Sequence, residues 1–480
     1  MKVWVVINMS MQIHISNLIE ITDPTKEILD FVTDTYVYNN PSYEKKRRMG
    51  FYLGKTPKTI RLYEIYNDNI YLPCGVFNDI WKVHPHKEDY QDYTVTREMI
   101  CESKMQLREY QKLVPIACKK YCNGLILMPC GTGKSITMLQ TACFLKQKTL
   151  WLCTTKDLLQ QAESYITKFT NATTSRISEG KCDTSGNFVF ATMQTLYKII
   201  EKGEIEQDVF GCVIADEVQH CMVSDESIMQ FKTCFEYFCA RYKFGCTATL
   251  MTSNPLWKCI PKIIGDILYE LKKEDDKLIG YYENKKVCEV PLIDFQIPIR
   301  VNIVRTDYSI LDRDVFNKDG MTLSYAKLIT DIGRDSKRNK QIIDIVNALP
   351  GSTLILSDRV EQLKILHEFI PNSVQIDGST NKKVREQAID DVRSGKIRVL
   401  LASYQLAKEG LDIIRLENLV MGTPVKDFAI VVQSCGRIQR PFGNKKIGTV
   451  YDLVDDVSFL NRFYSKRKSI YKKEQWEVIK

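Results

Sequence analysis

The clearest chemical signal in this chain is a glycine-rich heptad, Pro129-Cys130-Gly131-Thr132-Gly133-Lys134-Ser135. It follows an apolar run at 125–128 and precedes a helix that we predict over 136–145. Glycines let backbone N–H groups close around phosphate oxygens, a lysine reaches the terminal phosphates and a hydroxyl holds Mg²⁺. The heptad therefore predicts a phosphate-binding loop in which Lys134 and Ser135 take the last two roles, although Met128 replaces the usual first glycine.

An acidic pair is the second signal. The apolar run 212–215 is followed by Asp216-Glu217-Val218-Gln219. A carboxylate at the end of a parallel strand is where a nucleotide's Mg²⁺ is met. We therefore expect Asp216 and Glu217 to lie beside the phosphate loop.

Other polar motifs surround these two along the chain. Gln111, in Leu107-Arg108-Glu109-Tyr110-Gln111, could read an adenine edge through paired hydrogen bonds. Thr154-Thr155-Lys156 and Ala191-Thr192-Met193-Gln194-Thr195 stand at predicted strand ends, where a polymer backbone could be held, and Thr247-Ala248-Thr249 closes the fifth predicted strand. In 433–440, Arg437 and Arg440 have a spacing that predicts one helical face and suits two arginine fingers on a γ-phosphate.

The elements that must position these residues are short apolar runs that alternate with helical patterns. This alternation predicts two buried parallel sheets, one in each of two α/β units, with a cleft between the units. The strands expected in the first unit are 125–128, 149–153, 188–191, 212–215 and 242–246. Those expected in the second are 353–356, 374–376, 398–402, 419–421 and 449–453, after a charged stretch at 270–317. Residues 1–104 are rich in Tyr, Val, Ile and Thr between turn signals, which predicts a small strand-rich module.

The composition favours an intracellular globular protein. With 480 residues, 44% hydrophobic and 26% charged, the chain has the size of about two to four domains. No apolar stretch approaches the roughly 20 residues of a membrane helix, and we expect no signal peptide. The 16 cysteines lack the two-residue spacing of zinc ribbons, which favours reduced thiols in the cytoplasm.

The net charge of +8 is modest, but it is unevenly distributed. Lys45-Lys46-Arg47-Arg48 is followed by further basic residues interleaved with aromatic ones, a pattern that suits a nucleic-acid backbone beside stacked bases. An ordinary solvated loop is the alternative. For the basic cluster at 462–473 we favour a solvated helix face.

In this order, the motifs over 105–455 resemble those of the superfamily 2 helicases and translocases, and the opening and closing motifs resemble the XPB and phage UvsW-type branch. The resemblance implies two tandem RecA-like parallel-sheet domains of α/β class (105–290 and 291–480) behind an N-terminal strand-rich α+β DNA-binding module (1–104). It also implies ATP and Mg²⁺ as cofactors. We further expect a monomer that acts on DNA. RNA is the other candidate substrate, and a phage or virus is the expected source.

The resemblance also implies roles for individual residues. Arg108 and Gln111 would contact adenine, Gly131, Thr132, Gly133, Lys134 and Ser135 would cradle the phosphates, and Ser135 with Asp216 would hold Mg²⁺. Glu217 would polarise the attacking water, Thr247 and Thr249 would couple the site to nucleic acid, and Gly410, Asp412, Gln433, Arg437 and Arg440 would complete the site. The chain departs from the family where Gln219 replaces a frequent His, with His220 next to it, and where Leu250 replaces a common Pro. Either Gln219 or His220 could link the water site to the polymer site.

The function that these residues imply is an ATP-dependent DNA helicase or translocase, acting on branched or duplex DNA in recombination, repair or replication. One alternative is a restriction-type duplex translocase subunit that works with a nuclease partner. Another is an ATP-dependent transcript-release factor or RNA helicase. A non-enzymatic nucleic-acid clamp is disfavoured because Glu217, Arg437 and Arg440 are all present.

Overall fold

The computed structural model describes residues 11–129, 131–178, 180–221, 224–251, 254–310, 315–316, 323–408, 411 and 413–479. These residues form two compact units. The first comprises the chain up to Lys273 together with Leu278–Glu289, and the second comprises Glu274–Lys277 and the chain from Val290 onward. Each unit is built on a largely parallel sheet flanked by helices, which confirms the expected α/β class. The boundaries near 104 and 290 stay predictions.

The N-terminal part of the first unit is the expected strand-rich module. Five strands form a sheet in the order β5-β6-β2-β1-β7, and β3 pairs with β4 in a separate antiparallel ribbon. Alternate residues are buried, as with Ile19 and Ile21 in β2, because successive side chains point to opposite faces. The strands are β1 Gln12–Ile15, β2 Leu18–Thr22, β3 Val37–Asn39, β4 Thr59–Arg61, β5 Glu64–Tyr66, β6 Asn69–Pro73 and β7 Tyr90–Asp92; the helices are α1 Lys26–Thr35, α2 Pro41–Arg48 and α3 Phe77–Val83.

This N-terminal sheet packs directly on the larger sheet of the same unit. At Gly75 a Cβ atom would lie 2.6 Å from the carbonyl oxygen of Lys262, so only glycine permits this approach. Asn123 Nδ2 donates to the carbonyl oxygen of Cys74 over 3.1 Å, and Lys243 Nζ donates to that of Asn17 over 3.0 Å. These contacts, together with a shared apolar core, join the two sheets.

The larger sheet of the first unit has ten strands in the order β11-β10-β12-β9-β13-β14-β8-β15-β16-β17. Its central strands are parallel and buried on both faces, which explains why their sequences are continuous apolar runs. The strands are β8 Asn123–Leu127, β9 Thr149–Cys153, β10 Thr174–Ser178, β11 Lys181–Cys182, β12 Phe188–Thr192, β13 Cys212–Asp216, β14 Tyr242–Thr247, β15 Ile267–Glu274, β16 Lys277–Tyr282 and β17 Lys285–Pro291. The helices are α4 Leu113–Tyr121, α5 Lys134–Leu145, α6 Lys156–Phe169, α7 Met193–Glu201, α8 Asp225–Glu236 and α9 Ile260–Ile264.

The sequence predicted no strand within the charged stretch at 270–317, but strands occupy most of its described residues. Strands β15–β17 extend the first sheet, and the next strand, β18 (Ile299–Thr306), belongs to the second sheet. Strand β17 lies at the sheet edge and exposes most of its residues. Edge strands carry charged side chains that oppose unwanted pairing, so their sequences lack the apolar run of a buried strand.

The second unit contains a seven-stranded sheet in the order β20-β21-β19-β22-β23-β18-β24. Its strand pairs are parallel, and the five predicted strands are all present, most with one to three additional residues. The remaining strands are β19 Ser352–Ser357, β20 Ser373–Ile376, β21 Val399–Ser403, β22 Leu416–Met421, β23 Gly448–Asp455 and β24 Glu477–Ile479. The helices are α10 Tyr325–Arg334, α11 Ser336–Ala348, α12 Val360–Phe369, α13 Lys382–Ser394, α14 Tyr404–Lys408, α15 Phe428–Gly436 and α16 Ser458–Lys473.

Helix α16 carries the C-terminal basic cluster, and one of its members is not solvated as we expected. The side chain of Arg467 is 2% exposed, its Nε donates to Asp452 Oδ2 over 3.0 Å, and its Nη2 lies 2.8 Å from Asp452 Oδ1. Tyr471 also donates to Asp452 Oδ2, over 2.7 Å. The solvated-face interpretation holds for exposed members such as Arg462 and Lys466 but is wrong for Arg467, which fixes α16 to β23.

Two expectations concern the chain as a whole. The described cysteines are free thiols, and most of them are buried. None of the helices in the described part of the chain is long and apolar enough to cross a membrane.

Candidate active site

The phosphate-binding loop lies between the buried strand β8 and helix α5, which begins at Lys134. Gly131 and Gly133 have φ angles of +82° and +81°, in the left-handed region that glycine adopts without strain. A Cβ atom at Gly133 would also lie 2.8 Å from Gln111 Nε2. The loop geometry therefore requires glycine at 133; Cys130 lies outside the described residues.

The motif expected to contact adenine holds the phosphate loop. Gln111 is buried, and its Nε2 donates to the carbonyl oxygen of Thr132 over 2.9 Å. The hydroxyl of Tyr110 donates to the same oxygen over 2.7 Å, and the backbone N–H of Arg108 donates to Gln111 Oε1 over 2.8 Å. An adenine contact by Arg108 and Gln111 stays a prediction. The part played by Tyr110 was missed, although the residue stands inside the quoted motif.

The structure brings together the four residues that the two strongest motifs singled out. Lys134 Nζ lies 2.5 Å from Glu217 Oε1 and 3.8 Å from Asp216 Oδ1. Ser135 Oγ donates to Asp216 Oδ2 over 2.8 Å. The two loop residues are about 80 positions from the acidic pair in the chain. The two pairs meet because β8, β14 and β13 are parallel neighbours that end at the same edge of the sheet.

The two carboxyls of this cluster differ in their electrostatics. Burial raises the pKa of Asp216, against the opposing effect of Lys134. Burial would also raise the pKa of Glu217, but Lys134 and a hydrogen bond from Gln219 outweigh it and hold this pKa below its ordinary value. Glu217 is therefore a stable anion at neutral pH, the form that can orient a water molecule or accept its proton.

Ser135 and Asp216 fit the magnesium role that the sequence assigned to them. A hydroxyl and a carboxylate are oxygen ligands of the kind that Mg²⁺ takes, usually one or two from the protein with the rest from phosphate and water. The two oxygens lie 2.8 Å apart at the end of the phosphate loop. Among the residues that the structure describes, no cluster of three or more His, Cys, Asp or Glu side chains could hold a metal ion.

A chain of hydrogen bonds leads from this cluster to the end of β14. Gln219, in the short 3-10 helix Val218–Cys221, donates from Nε2 to Glu217 Oε2, and its Oε1 accepts from the hydroxyl of Thr247. The backbone N–H of Thr249 donates to Thr247 Oγ1 over 3.2 Å. Gln219 therefore joins the acidic motif to Thr247-Ala248-Thr249, whereas the sequence left Gln219 and His220 as alternatives.

The backbone at Glu217 is strained. Its φ angle is +53°, which non-glycine residues adopt rarely and at some energetic cost. The Glu217 N–H donates to Asp216 Oδ1 over 2.9 Å, which helps to hold this conformation. In this conformation the Glu217 side chain contacts Lys134 and Gln219, while Asp216 accepts from Ser135 and shares Lys134 at the longer distance.

The remaining predicted site residues belong to the second unit. Gln433 lies on α15, but this helix ends at Gly436, so the expected common helical face for Arg437 and Arg440 is wrong. Pro441 follows, and the residue before a proline is disfavoured in helical conformation. Arg437 instead donates from Nε to the carbonyl oxygen of Ala407 over 3.0 Å and from Nη1 to that of Leu411 over 3.1 Å.

The segment that Arg437 contacts is the one that carries the two other predicted residues, Gly410 and Asp412, which lie outside the described residues.

A residue that sequence reasoning missed supports Arg440. Lys445 Nζ donates to the carbonyl oxygens of Arg440 over 2.9 Å and Leu416 over 2.6 Å. Burial lowers the pKa of Lys445 to about 8. Its sequence context contains no signal for this role.

Two family models match the chain. One, described as the res subunit of type III restriction enzymes, matches residues 97–252, and the helicase conserved C-terminal domain matches residues 337–441. With the parallel-sheet fold and the phosphate loop, these matches place the chain in superfamily 2 of the helicases and translocases, as its motifs predicted. Membership of this superfamily implies use of ATP, typically with Mg²⁺, and action on nucleic acid.

Individual relatives indicate which members of the superfamily the chain is similar to. Protein L396 of Acanthamoeba polyphaga mimivirus, named for ATP-dependent RNA helicase activity, is 27% identical over 84% of this chain and 73% of its own length. The DNA 3'-5' translocase XPB2 of Sulfurisphaera tokodaii is 24% identical over 70% of this chain and 80% of its own. Helicase D10 of Escherichia phage T5 is 26% identical over 79% of this chain and 78% of its own. The expected resemblance to XPB-type and phage helicases is therefore confirmed.

A solved structure supports the fold alone. S. cerevisiae Dbp5 bound to RNA and ADP BeF3 aligns with a TM-score of 0.54 at 14% identity, covering 85% of this chain and 94% of that one.

Proposed function

We propose that this chain is an ATP-dependent DNA helicase or translocase that couples hydrolysis to movement on, or remodelling of, branched or duplex DNA in recombination, repair or replication. One observation carries the proposal. A continuous hydrogen-bonded chain runs from Lys134 through Glu217 and Gln219 to Thr247. This series of hydrogen bonds connects the residues that would respond to hydrolysis with Thr247 at the end of β14. The family resemblance implies that Thr247 couples the site to nucleic acid.

The proposed chemistry follows from the contacts. With ATP bound, Lys134 would turn from Glu217 toward the terminal phosphates, while Ser135 and Asp216 would hold Mg²⁺. Glu217 would keep its hydrogen bond from Gln219 and would be available to polarise the attacking water. Bound Mg²⁺ would neutralise charge that develops on the phosphates. Because Gln219 also binds Thr247, a change at Glu217 is transmitted to the end of β14.

Further residues and boundaries belong to the proposal. Arg437 and Arg440 would stabilise charge on the transferred phosphoryl group, as arginines do in related reactions. We also propose the division into 1–104, 105–290 and 291–480. The other proposed site residues are Arg108 and Gln111 toward adenine, and Gly410, Asp412 and Gln433 in the second unit.

Two other functions each have a specific observation in their favour. The restriction-enzyme model over residues 97–252 favours a translocase that moves on duplex without separating strands. The name of the mimivirus relative favours action on RNA. DNA is preferred here because the opening and closing motifs, and the relative XPB2, associate the chain with DNA-acting members.

The test is steady-state ATPase activity of the whole chain, alone and with single-stranded DNA, duplex DNA, a branched junction and RNA. Stimulation by branched or single-stranded DNA supports the proposed helicase, and stimulation by duplex alone supports the restriction-type translocase. Stimulation chiefly by RNA supports the RNA-acting alternative. A lack of stimulation by any polymer would contradict a nucleic-acid motor.

Two variants test the site assignment in the same assay. Lys134→Ala should abolish hydrolysis because it removes the ammonium that would contact the terminal phosphates. Glu217→Gln should bind ATP yet hydrolyse it about 10²–10⁴-fold more slowly, the usual contribution of a positioned general base. Near-normal turnover by Glu217→Gln would show that the water site lies elsewhere.

A further inference from the structure

The N-terminal module carries a hydrogen-bonded helix and loop between the two strands of its small ribbon. Residues 40–58, here called the α2 arm, connect β3 to β4 and include helix α2. Asn40 is fully buried and closes the base of the arm, since its Nδ2 donates to the carbonyl oxygen of Pro57 over 2.9 Å and its N–H to that of Lys58 over 3.0 Å. Lys46 Nζ donates to Thr56 Oγ1 over 2.7 Å, so helix and returning loop are joined.

The arm is strongly basic. From Lys45 to Tyr63 the sequence has seven Lys or Arg residues and no Asp or Glu. Glu44, just before this run, lies 3.6 Å from Arg47 and offsets one charge. The exposed basic residues are Lys45, Arg47, Arg48, Lys55, Lys58 and Arg61. This density of cations suits contact with successive phosphates rather than isolated ion pairs.

Two aromatic rings stand in solvent among these charges. Phe51 is 62% exposed and Tyr52 is 91% exposed, directly after Gly50, whose φ of +67° turns the chain at the end of α2. The N–H of Phe51 donates to the carbonyl oxygen of Lys46 over 2.9 Å, so the backbone that carries the first ring is anchored to the end of the helix. Exposed aromatic rings beside cations are the elements of a base-stacking surface.

The basic run continues to a cavity beside β4. Arg61, Tyr63 and Tyr66 line an open cavity of about 490 Å³, with Glu64 and Ile65. That volume is in the range of sites that hold small organic groups. The arm and this cavity therefore present cations and aromatic rings along one continuous segment of chain, 45–66.

We propose that the α2 arm binds a single-stranded stretch of DNA, with Phe51 and Tyr52 stacked on unpaired bases and the basic residues on the flanking phosphates. This inference rests on the proposed function and specifies its substrate class as DNA that contains unpaired nucleotides, such as a gap or a fork. In intact duplex the base faces are stacked on one another and must be unstacked at a cost before a side chain reaches them. The rings therefore favour substrates that are already unpaired.

The experiment measures binding of the full chain to an oligothymidylate, a gapped duplex, an intact duplex and an RNA of the gap sequence. The double variant Phe51→Ala/Tyr52→Ala should bind the oligothymidylate and the gapped DNA at least about 30-fold more weakly, from about 1–3 kcal/mol for each of the two lost stacking contacts. Binding to intact duplex should change less than twofold. Tyr52→Phe, which keeps the ring, should retain tight binding.

Two further variants serve as matched controls. Phe369→Ala removes a ring that is also 62% exposed but lies on α12 in the second unit, and it should leave every affinity unchanged. Lys45→Gln/Arg48→Gln should make the salt dependence of single-strand binding shallower by about 1.4 in slope, from about 0.7 per phosphate contact. The ring variant should leave that slope as it is.

Several results would overturn the inference: unchanged binding of the double variant to gapped DNA, an equal loss on intact duplex, or tighter binding of the RNA than of the DNA. ATPase measurements on the unaltered chain distinguish this failure from failure of the proposed function. If DNA stimulates hydrolysis while the ring variant binds gapped DNA normally, only the role of the arm is wrong. If no DNA stimulates hydrolysis, the proposed function fails as well.

Discussion

Replacement of Gln219 by Met is the sharpest test of how the candidate site works. Met has a similar unbranched shape and fills a buried position, but it has neither the amide donor nor the amide acceptor. Gln219 is 6% exposed and bridges Glu217 and Thr247. The variant therefore removes the bridge while Lys134 and Glu217 remain in place.

The size of the effect can be worked from these contacts. A hydrogen bond to a charged group contributes about 1.5–3 kcal/mol, and Glu217 loses one of this kind. If that energy is what couples nucleic-acid binding to hydrolysis, the ratio of stimulated to unstimulated ATPase activity should fall about 10- to 100-fold, at 1.4 kcal/mol per tenfold. Because Gln219 bridges Glu217 and Thr247, its loss should change the stimulation ratio more than the affinity for ATP.

The assay compares ATPase rates with and without saturating DNA for the unaltered chain, Gln219→Met and Gln219→His. Histidine can donate and accept through its two ring nitrogens, so Gln219→His should keep most of the stimulation. Thermal unfolding of each variant establishes that it is folded. A stimulation ratio in Gln219→Met equal to that of the unaltered chain would refute the coupling role of this bridge.

Two predictions concern stability. Arg467→Met should lower the free energy of unfolding by about 3–5 kcal/mol, because it leaves Asp452 charged and buried; the neighbouring exposed Lys466→Met should change it by less than about 0.5 kcal/mol, and equal effects in denaturant titrations would contradict the buried pair. Burial raises the pKa of Glu236 to about 7 in spite of Lys232, 2.8 Å away. Because this value lies above the ordinary 4.5, the carboxyl's contribution to stability is fully present below pH 4.5 and is lost as the pH rises through about 7. Relative to Glu236→Gln, the unaltered chain should therefore lose up to about 3 kcal/mol between pH 4.5 and 8, and parallel stability curves would contradict the shift.

Much of the fold could be predicted because its central strands are buried on both faces. Such strands need continuous apolar residues, and the runs at 149–153 and 212–215 are visible for that reason. The hairpin and edge strands between 267 and 291 were missed because solvent-facing strands tolerate Lys and Glu. Helix α2 was also unexpected, in a basic segment for which the sequence analysis considered an ordinary solvated loop.

In the candidate site, too, some residues could be predicted from the sequence and others could not. Lys134, Ser135, Asp216 and Glu217 were identified because each stands in a local motif whose chemistry fixes residue type and spacing. The choice between Gln219 and His220 and the role of Lys445 could not be made from the sequence, since each depends on partners that are distant in the chain or on a carbonyl group that any residue could supply.

The sequence by itself determined that this chain is an α/β protein with a phosphate loop and an acidic strand end, because those properties depend on local spacing and on the burial of apolar runs. Only the tertiary structure decided that Gln219 connects Glu217 to Thr247, that Arg467 is buried, and that Arg437 binds the carbonyl groups near 407–411. The physical reason is that hydrogen bonds and burial depend on three-dimensional proximity. The order of strands in a sheet creates that proximity between residues that are remote in the chain.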